Sequence, residues 1–210
     1  GMISTQEAGD WIELFPVRGK VLYDNSLYYG ALNAVKFLCL GAGDKTYAKI
    51  YEDRAKTLHI STNSILWINE SHNNIKEKLA GLYNEVKNIR FREDEIIRIS
   101  ESCVNLVWRP YFLAFYGFRK FGDWFDNLGN MLAILFNIAD VKKSELILDF
   151  AREVCAGRPY PAKAIYPPIY PGESEWRDYF KIGNLNLPNH YHNGGIWPFG
   201  VKGGEHPLGH

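Results

Sequence analysis

The run His190-Tyr191-His192-Asn193-Gly194-Gly195-Ile196-Trp197-Pro198-Phe199 gathers two imidazoles, a carboxamide, adjacent glycines and an indole. Adjacent glycines permit backbone angles closed to other residues and let a ligand approach the main chain. Trp197 supplies a flat apolar face, and His192 and Asn193 supply directional hydrogen bonds. Such a surface suits a molecule that is polar at its edges and apolar on its C–H faces, as a sugar is. The same composition also describes a tight aromatic turn, and the run alone does not separate the two.

Acids beside indoles recur elsewhere. Asp10 and Glu13 flank Trp11, and Asp123 and Asp126 bracket Trp124. A carboxyl desolvated by an indole holds its proton to higher pH, as a general acid at neutral pH requires. A surface charge is the plain alternative for Asp10 and Glu13. Glu173-Ser174-Glu175-Trp176-Arg177 lies in a proline-rich stretch, where Trp176 and Arg177 are further candidates for sugar contact and Glu173 and Glu175 are acids available as a base. Arg109, between Trp108 and Pro110-Tyr111, reads as a stacking residue, with a hydroxylated or acidic ligand as the other possibility. His190 with His192, and His206 with His210, resemble metal pairs only in spacing. No helix or strand is predicted to fix them and no cysteine is near, so no metal is expected.

The elements that must position these groups are helical. Leu22–Leu40 repeats apolar residues at Leu27, Ala31, Val35 and Leu38, ending at Gly41 and Gly43. Asp44 caps a second helix with stripe Tyr47, Tyr51, Ala55, Leu58, Thr62 and Leu66, which makes an antiparallel hairpin. Asn73–Asn88 is a third amphipathic stretch, and Phe91–Lys120 reads as a short strand or an irregular buried segment. Asp126 and Asn127 cap a helix over Leu128–Ile138. Asp140 caps another over Val141–Ala156, with stripe Ile147, Phe150, Ala151 and Val154, which gives a second hairpin. Residues 7–20 form a loop, and the prolines from Pro159 to Pro188 exclude regular helix over most of that stretch. A loop this long in a compact domain is usually functional.

The totals narrow the class. The 210 residues are 46% hydrophobic and carry 24 basic and 24 acidic side chains, enough for one domain and without the basic excess of a nucleic-acid binder. No apolar run is long enough for a membrane span. Cys39, Cys103 and Cys155 are too scattered for a disulfide framework and read as reduced thiols of a cytoplasmic protein. Aromatics make up 15%, and most tryptophans stand beside charged or glycine-containing segments.

Three segments, FDNLGNMLAILFNIAD, YPPIYPGESEWRDY and NLPNHYHNGGIWPFG, in this order, resemble the alkaline and neutral invertases and equally the amylo-alpha-1,6-glucosidase group. GDWIE followed by VRGKVLYDNSLYYGAL resembles that family's tryptophan–acid motif and the aromatic helix after it. The resemblance implies an all-α architecture, part of an (α/α)6 toroid with long proline-rich loops and its site at one end. It implies a single domain over 1–210, with an N-terminal loop 1–20, a site loop 158–199 and an irregular tail 200–210. It further implies an inverting glycosidase acting on an α-glucoside such as sucrose or a short α-glucan, with two carboxyls about 6.5–9.5 Å apart. The acid falls on Glu13, where the family has aspartate, with Asp10 as fallback. Trp11, Asp126, Trp176, Arg177, His192, Asn193 and Trp197 would contact sugar, and no cofactor is implied. The family's base belongs to a Glu-Tyr-Tyr motif that this sequence lacks, and a full toroid needs roughly 350 residues. The sequence therefore reads as part of such a domain. A non-catalytic carbohydrate-binding protein of the same fold is the alternative, and self-association would cover hairpin faces left open.

Overall fold

A computed structural model of the chain describes residues 1–13, 15–68, 108–117, 120–155 and 163–197. The helix expected over Asn73–Asn88, most of the segment before Trp108, Cys103, Pro198, Phe199 and the tail 200–210 lie outside the described residues.

Strand β1 (Lys20–Val21) leads directly into helix α1 (Leu22–Gly41), which Gly43 and Asp44 separate from helix α2 (Lys45–Leu66). Helix α1 starts without a side-chain cap. Its first free amide, that of Leu22, instead donates to the Ala114 carbonyl at 2.9 Å, so a neighbouring segment satisfies the helix end. The turn uses the left-handed backbone of Gly43 (φ 78°), and the Asp44 carboxylate accepts the Tyr47 amide at 3.0 Å. The two helices pack as the expected antiparallel hairpin.

Strands β2 (Phe115–Gly117) and β3 (Lys120–Gly122) extend β1 into a three-stranded antiparallel sheet, with Val21 opposite Phe115 and Phe115 opposite Gly122. Strand β4 (Phe125–Asp126) runs into helix α3 (Asn127–Leu135), and helix α4 (Val141–Cys155) completes the second hairpin. Asp126 and Asp140 cap α3 and α4 as expected, accepting the amides of Gly129 at 3.1 Å and Lys143 at 2.9 Å. Helix α3 stops three residues earlier than its apolar pattern, because Asn137 turns left-handed (φ 60°) and returns its amide to Ile134. Strand β5 (Ile165–Tyr166) pairs antiparallel with β4, and a 3-10 helix, η1 (Asp178–Asn184), follows within the proline-rich stretch.

Helices dominate the described residues, but the short strands correct the all-α expectation. They staple loops to helix starts rather than build a separate layer. The main core lies between the hairpins around Leu22, Leu58, Phe112, Phe125 and Ile147, and a second cluster around Phe15, Phe115, Trp124, Ile165 and Phe180 sits under the loops. The stripe on α2 is buried from Ala55 to Leu66, with Tyr51 half-buried and Tyr47 exposed. The stripe on α1 is not. Leu27 and Leu38 face outward, and the buried face carries Leu22, Asn25, Ser26 and Leu32. Burial of Asn25 is tolerated because its side chain is fully hydrogen-bonded. It accepts the Ile3 amide at 2.9 Å and donates to the carbonyls of Ile3 at 3.2 Å and Val21 at 2.7 Å.

Candidate active site

The N-terminal arm is the first component. Thr5 and Gly19 exchange backbone hydrogen bonds of 2.9 and 2.8 Å, Lys20 Nζ reaches the Met2 carbonyl, and Asn25 clasps Ile3. These bonds hold the arm against the start of α1, where the Thr5 hydroxyl donates to the Asp24 carboxylate. The loop that follows is tied down by its own acid, since Asp10 Oδ1 accepts the Ile12 amide at 2.6 Å. Ile12 and Phe15 are buried in the second core cluster, with Trp11 packed against it and Glu13 exposed.

The glycine-rich run supplies the facing component. Gly194 is left-handed (φ 86°), and a Cβ on Gly195 would collide with the Tyr191 carbonyl, so the tight turn from His190 to Gly195 needs both glycines. The turn folds Trp197 back over its own start, where its indole N–H donates to the Tyr191 carbonyl at 3.2 Å. His192 then stacks on Trp197 with ring centroids 5.1 Å apart and planes 25° from parallel. Trp11 meets both rings edge-on, at 5.2 Å from His192 and 6.1 Å from Trp197, and also approaches Tyr23 at 6.0 Å. An aromatic wall is thus built from two segments far apart in sequence. Burial pushes the His192 pKa down, so its ring is neutral at pH 7, and Nδ1 faces the Glu13 carbonyl at 3.4 Å. A carbonyl only accepts, so Nδ1 carries the proton and Nε2 is left as an acceptor.

Carboxyls gather at the foot of this wall. Burial raises the pKa of Tyr23, and the charges of Asp10, Asp24 and Asp126 all add to the rise, which places the three acids around one phenol. Burial, reinforced by the Asp24 charge and opposed by the Ile12 amide, pushes Asp10 up to about 6. Burial pushes Asp126 up to about 7 against the pull of the Gly129 amide, with Asp10 and Asp24 adding to the rise. Asp24 is also raised by burial, with the Thr5 hydroxyl working in the opposite direction. Like charges brought together out of water cannot all ionise, so this cluster holds protons at near-neutral pH.

The three acids differ in what they can reach. Asp126 is 2% exposed and serves as the cap of α3. Asp10 has Oδ1 on the Ile12 amide and Oδ2 shut away from solvent. Asp24 is half-buried, in the first turn of α1, with Oδ2 taken by Thr5.

The predicted site residues therefore separate. Trp11, Asp10, His192 and Trp197 come together, and Asp126 joins their electrostatic environment from the helix end. Glu13 is exposed, and its carbonyl, not its carboxylate, is what meets His192. Asn193 is wholly buried. Its side-chain oxygen accepts the Ile169 N–H at 2.6 Å, and its amino group donates to the carbonyls of Ile169 at 2.7 Å and Asn186 at 2.9 Å, binding the proline-rich segment to the turn. Trp176 packs edge-on against Phe180 at 5.2 Å. Arg177 lies in an ion cluster with Glu7, at 3.4 Å, and Glu175, at 3.6 Å, which Arg18 also joins through Glu7 and Glu175. Buried Glu175 is thereby spent on cations, while Glu173 is exposed. Asp24 carries no motif of its own in the sequence, standing on a helix rich in aromatics. The signal available was its place in the first turn, beside Asn25 and Ser26, on the face that the apolar period leaves out.

Among the described residues no three His, Cys, Asp or Glu side chains converge to hold a metal ion, and no helix is long and apolar enough to cross a membrane. In comparison with known families, the family model described as alkaline and neutral invertase aligns with residues 14–201. No curated protein matches significantly. The aligned region takes in α1 with Asp24, the cap of α3 and the glycine turn, while Asp10, Trp11 and Glu13 precede it.

Proposed function

Because the chain belongs to the alkaline and neutral invertases, a glycoside hydrolase family, we propose that it hydrolyses an α-glucoside such as sucrose or a short α-glucan by the inverting route. The observation that carries the reading is the Trp11–His192–Trp197 wall with Tyr23 next to Trp11, the phenol around which Asp10, Asp24 and Asp126 gather. A sugar laid on the wall presents its C–H face to the indoles and its hydroxyls to His192 Nε2. Asp24, whose carboxyl burial makes a weaker acid, gives its proton to the glycosidic oxygen as the C–O bond breaks, while water adds to the anomeric carbon from the opposite face and releases a proton to solvent. Thr5 fixes the Asp24 rotamer. Asp10, whose oxygens are both sequestered, acts as the neighbouring acid in the coupled cluster rather than as the donor. Glu13, the residue favoured by motif position, is left a structural role through its carbonyl.

The two αα-hairpins and the site at helix starts support an (α/α)6 toroid as the parent architecture. The half-buried free thiol of Cys39 supports a cytoplasmic setting. Phe37, Leu38 and Leu40, all exposed at the end of α1, support self-association, which light scattering reads as a mass above the monomer.

The discriminating experiment compares sucrose and maltooligosaccharide hydrolysis by Asp24→Asn, Asp10→Asn and Glu13→Gln. Loss of a general acid lowers turnover by about 10²–10⁴-fold, and that loss is expected for Asp24→Asn with sugar binding retained. Full activity in Asp24→Asn overturns the assignment. Binding without turnover in the unaltered chain makes it a carbohydrate-binding relative instead.

A further inference from the structure

Tyr23 stands between the aromatic wall and the acids. It lies in the first turn of α1, next to Asp24, and its ring is 6.0 Å from that of Trp11 with the planes 47° apart. Trp11 in turn meets His192 and Trp197, so Tyr23 continues the wall around Trp11 toward the helix start. The ring is held in place. It packs against the second core cluster, and Leu22 and Asn25, which bracket Tyr23 and Asp24, are fully buried.

The hydroxyl, by contrast, is left over. The Tyr111 phenol donates to the Asp123 carbonyl at 3.0 Å, but no group among the described residues pairs with the Tyr23 hydroxyl. Tyr23 is partly exposed, and its oxygen is not one of the unpaired atoms closed to solvent, unlike Asp10 Oδ2. The acids around the phenol are engaged elsewhere. Asp10 has Oδ1 on the Ile12 amide, Asp126 caps α3, and Asp24 gives Oδ2 to Thr5. Burial, reinforced by the charges of these acids, raises the phenol's pKa, so it keeps its proton through the neutral range. A neutral phenol both donates and accepts, as a sugar hydroxyl does, and covering it without a partner is unfavourable.

We propose that Tyr23 is a sugar-contacting residue that sets specificity, its hydroxyl pairing with one hydroxyl of the glucosyl unit laid on the Trp11–His192–Trp197 wall. The indoles meet C–H faces, which differ little between hexoses. A hydrogen bond at one fixed point separates sugars by the presence and orientation of a single hydroxyl. Because Tyr23 adjoins Asp24, the same bond decides which edge of the sugar is turned toward the acid. The inference rests on the reading of the wall as a glucoside site.

The test is a hydroxyl-by-hydroxyl cycle. Methyl α-glucoside and its monodeoxy analogues, one for each free hydroxyl, are titrated by ligand-observed NMR against the unaltered chain and Tyr23→Phe, which keeps the ring and removes only the oxygen. One analogue is expected to bind the unaltered chain about three- to tenfold more weakly than the parent glucoside, and Tyr23→Phe as well as the parent does. The other analogues are expected to keep the same ratio to the parent in both chains. A loss of folding would weaken every ligand alike and cannot imitate this pattern. Identical ratios for all analogues in the two chains overturn the proposal, as does an unaltered chain that binds no methyl α-glucoside. The wall is judged separately with Trp197→Ala. Glucoside binding unmoved by that change, with the Tyr23 pattern intact, contradicts the reading of the wall and supports the contact at Tyr23. Binding weakened by Trp197→Ala, with identical ratios in Tyr23→Phe, upholds the wall and removes Tyr23 from it.

Discussion

Replacing Asp126 with asparagine isolates the electrostatic strain stored beneath the site. The Asp126 carboxyl is 2% exposed, and burial raises its pKa from 3.8 to about 7. A native pKa above the unfolded one means the folded chain binds the proton more tightly. The associated stability is therefore fully present below the unfolded pKa and is lost as pH rises through about 7. A rise of roughly three units at about 1.4 kcal/mol each places the penalty on the order of 4 kcal/mol above pH 8. The carboxamide introduced by Asp126→Asn is neutral at every pH and keeps an oxygen for the Gly129 amide, so the cap of α3 survives. Urea denaturation across pH 5 to 8.5 should show the parent losing stability over this window and Asp126→Asn losing much less. The gap between the curves should widen from pH 5, where part of the penalty is already present, to a few kcal/mol near pH 8. Asp10, coupled to Asp126 and raised to about 6, retains a smaller slope in the variant. Parallel pH profiles for the two chains, or a variant weaker at all pH values, would refute the reasoning, because a charge penalty cannot be independent of protonation.

Other perturbations follow from the same contacts. Asn193→Ala removes three buried bonds to backbone and should destabilise the fold by roughly 2–4 kcal/mol, read as a lowered thermal midpoint, because the Ile169 amide and carbonyl are left unpaired. Gly195→Ala forces a Cβ into the Tyr191 carbonyl and should unseat Trp197 from His192, seen as loss of near-ultraviolet circular dichroism with helix content unchanged. Thr5→Val deletes the hydrogen bond that lowers the Asp24 pKa. The Asp24 carboxyl should then titrate at higher pH by carbon NMR, and the alkaline limb of any pH–rate profile should move the same way, while Thr5→Ser restores both. An unchanged Asp24 titration in Thr5→Val would remove the arm from the account of the site.

What the sequence made legible was local chemistry. Asp44, Asp126 and Asp140 announce helix starts because a short carboxylate followed by a helical apolar period has few other uses, and each caps where expected. The glycine pair announced a tight turn, and the Trp197 and His192 stack follows from it. Long-range pairing was not legible. Strand β5 exists because Ile165 and Tyr166 meet β4 and Ala164 donates to Gly195, bonds between segments with no short-range signature. The period on α1 pointed the wrong way because its buried face includes Asn25 and Ser26, and burial of Asn25 is made tolerable by an arm about twenty residues upstream. The same oversight concealed Asp24. In the proline-rich stretch, Asn193 looked like a ligand contact because a carboxamide beside an indole has that capacity. Only the positions of Ile169 and Asn186 reveal that its hydrogen bonds are already used.

The proposed hydrolysis rests on a carboxyl on the first turn of α1 acting with the Trp11–His192–Trp197 wall on a bound α-glucoside. The most direct measurement is glucose release from sucrose by the unaltered chain and by Asp24→Asn, with sucrose binding followed in parallel by Trp197 fluorescence. The account predicts release by the unaltered chain, a fall of about 10²-fold or more in Asp24→Asn, and unchanged sucrose binding in both. Equal release by the two chains, or sucrose that leaves Trp197 fluorescence unaltered, would contradict it.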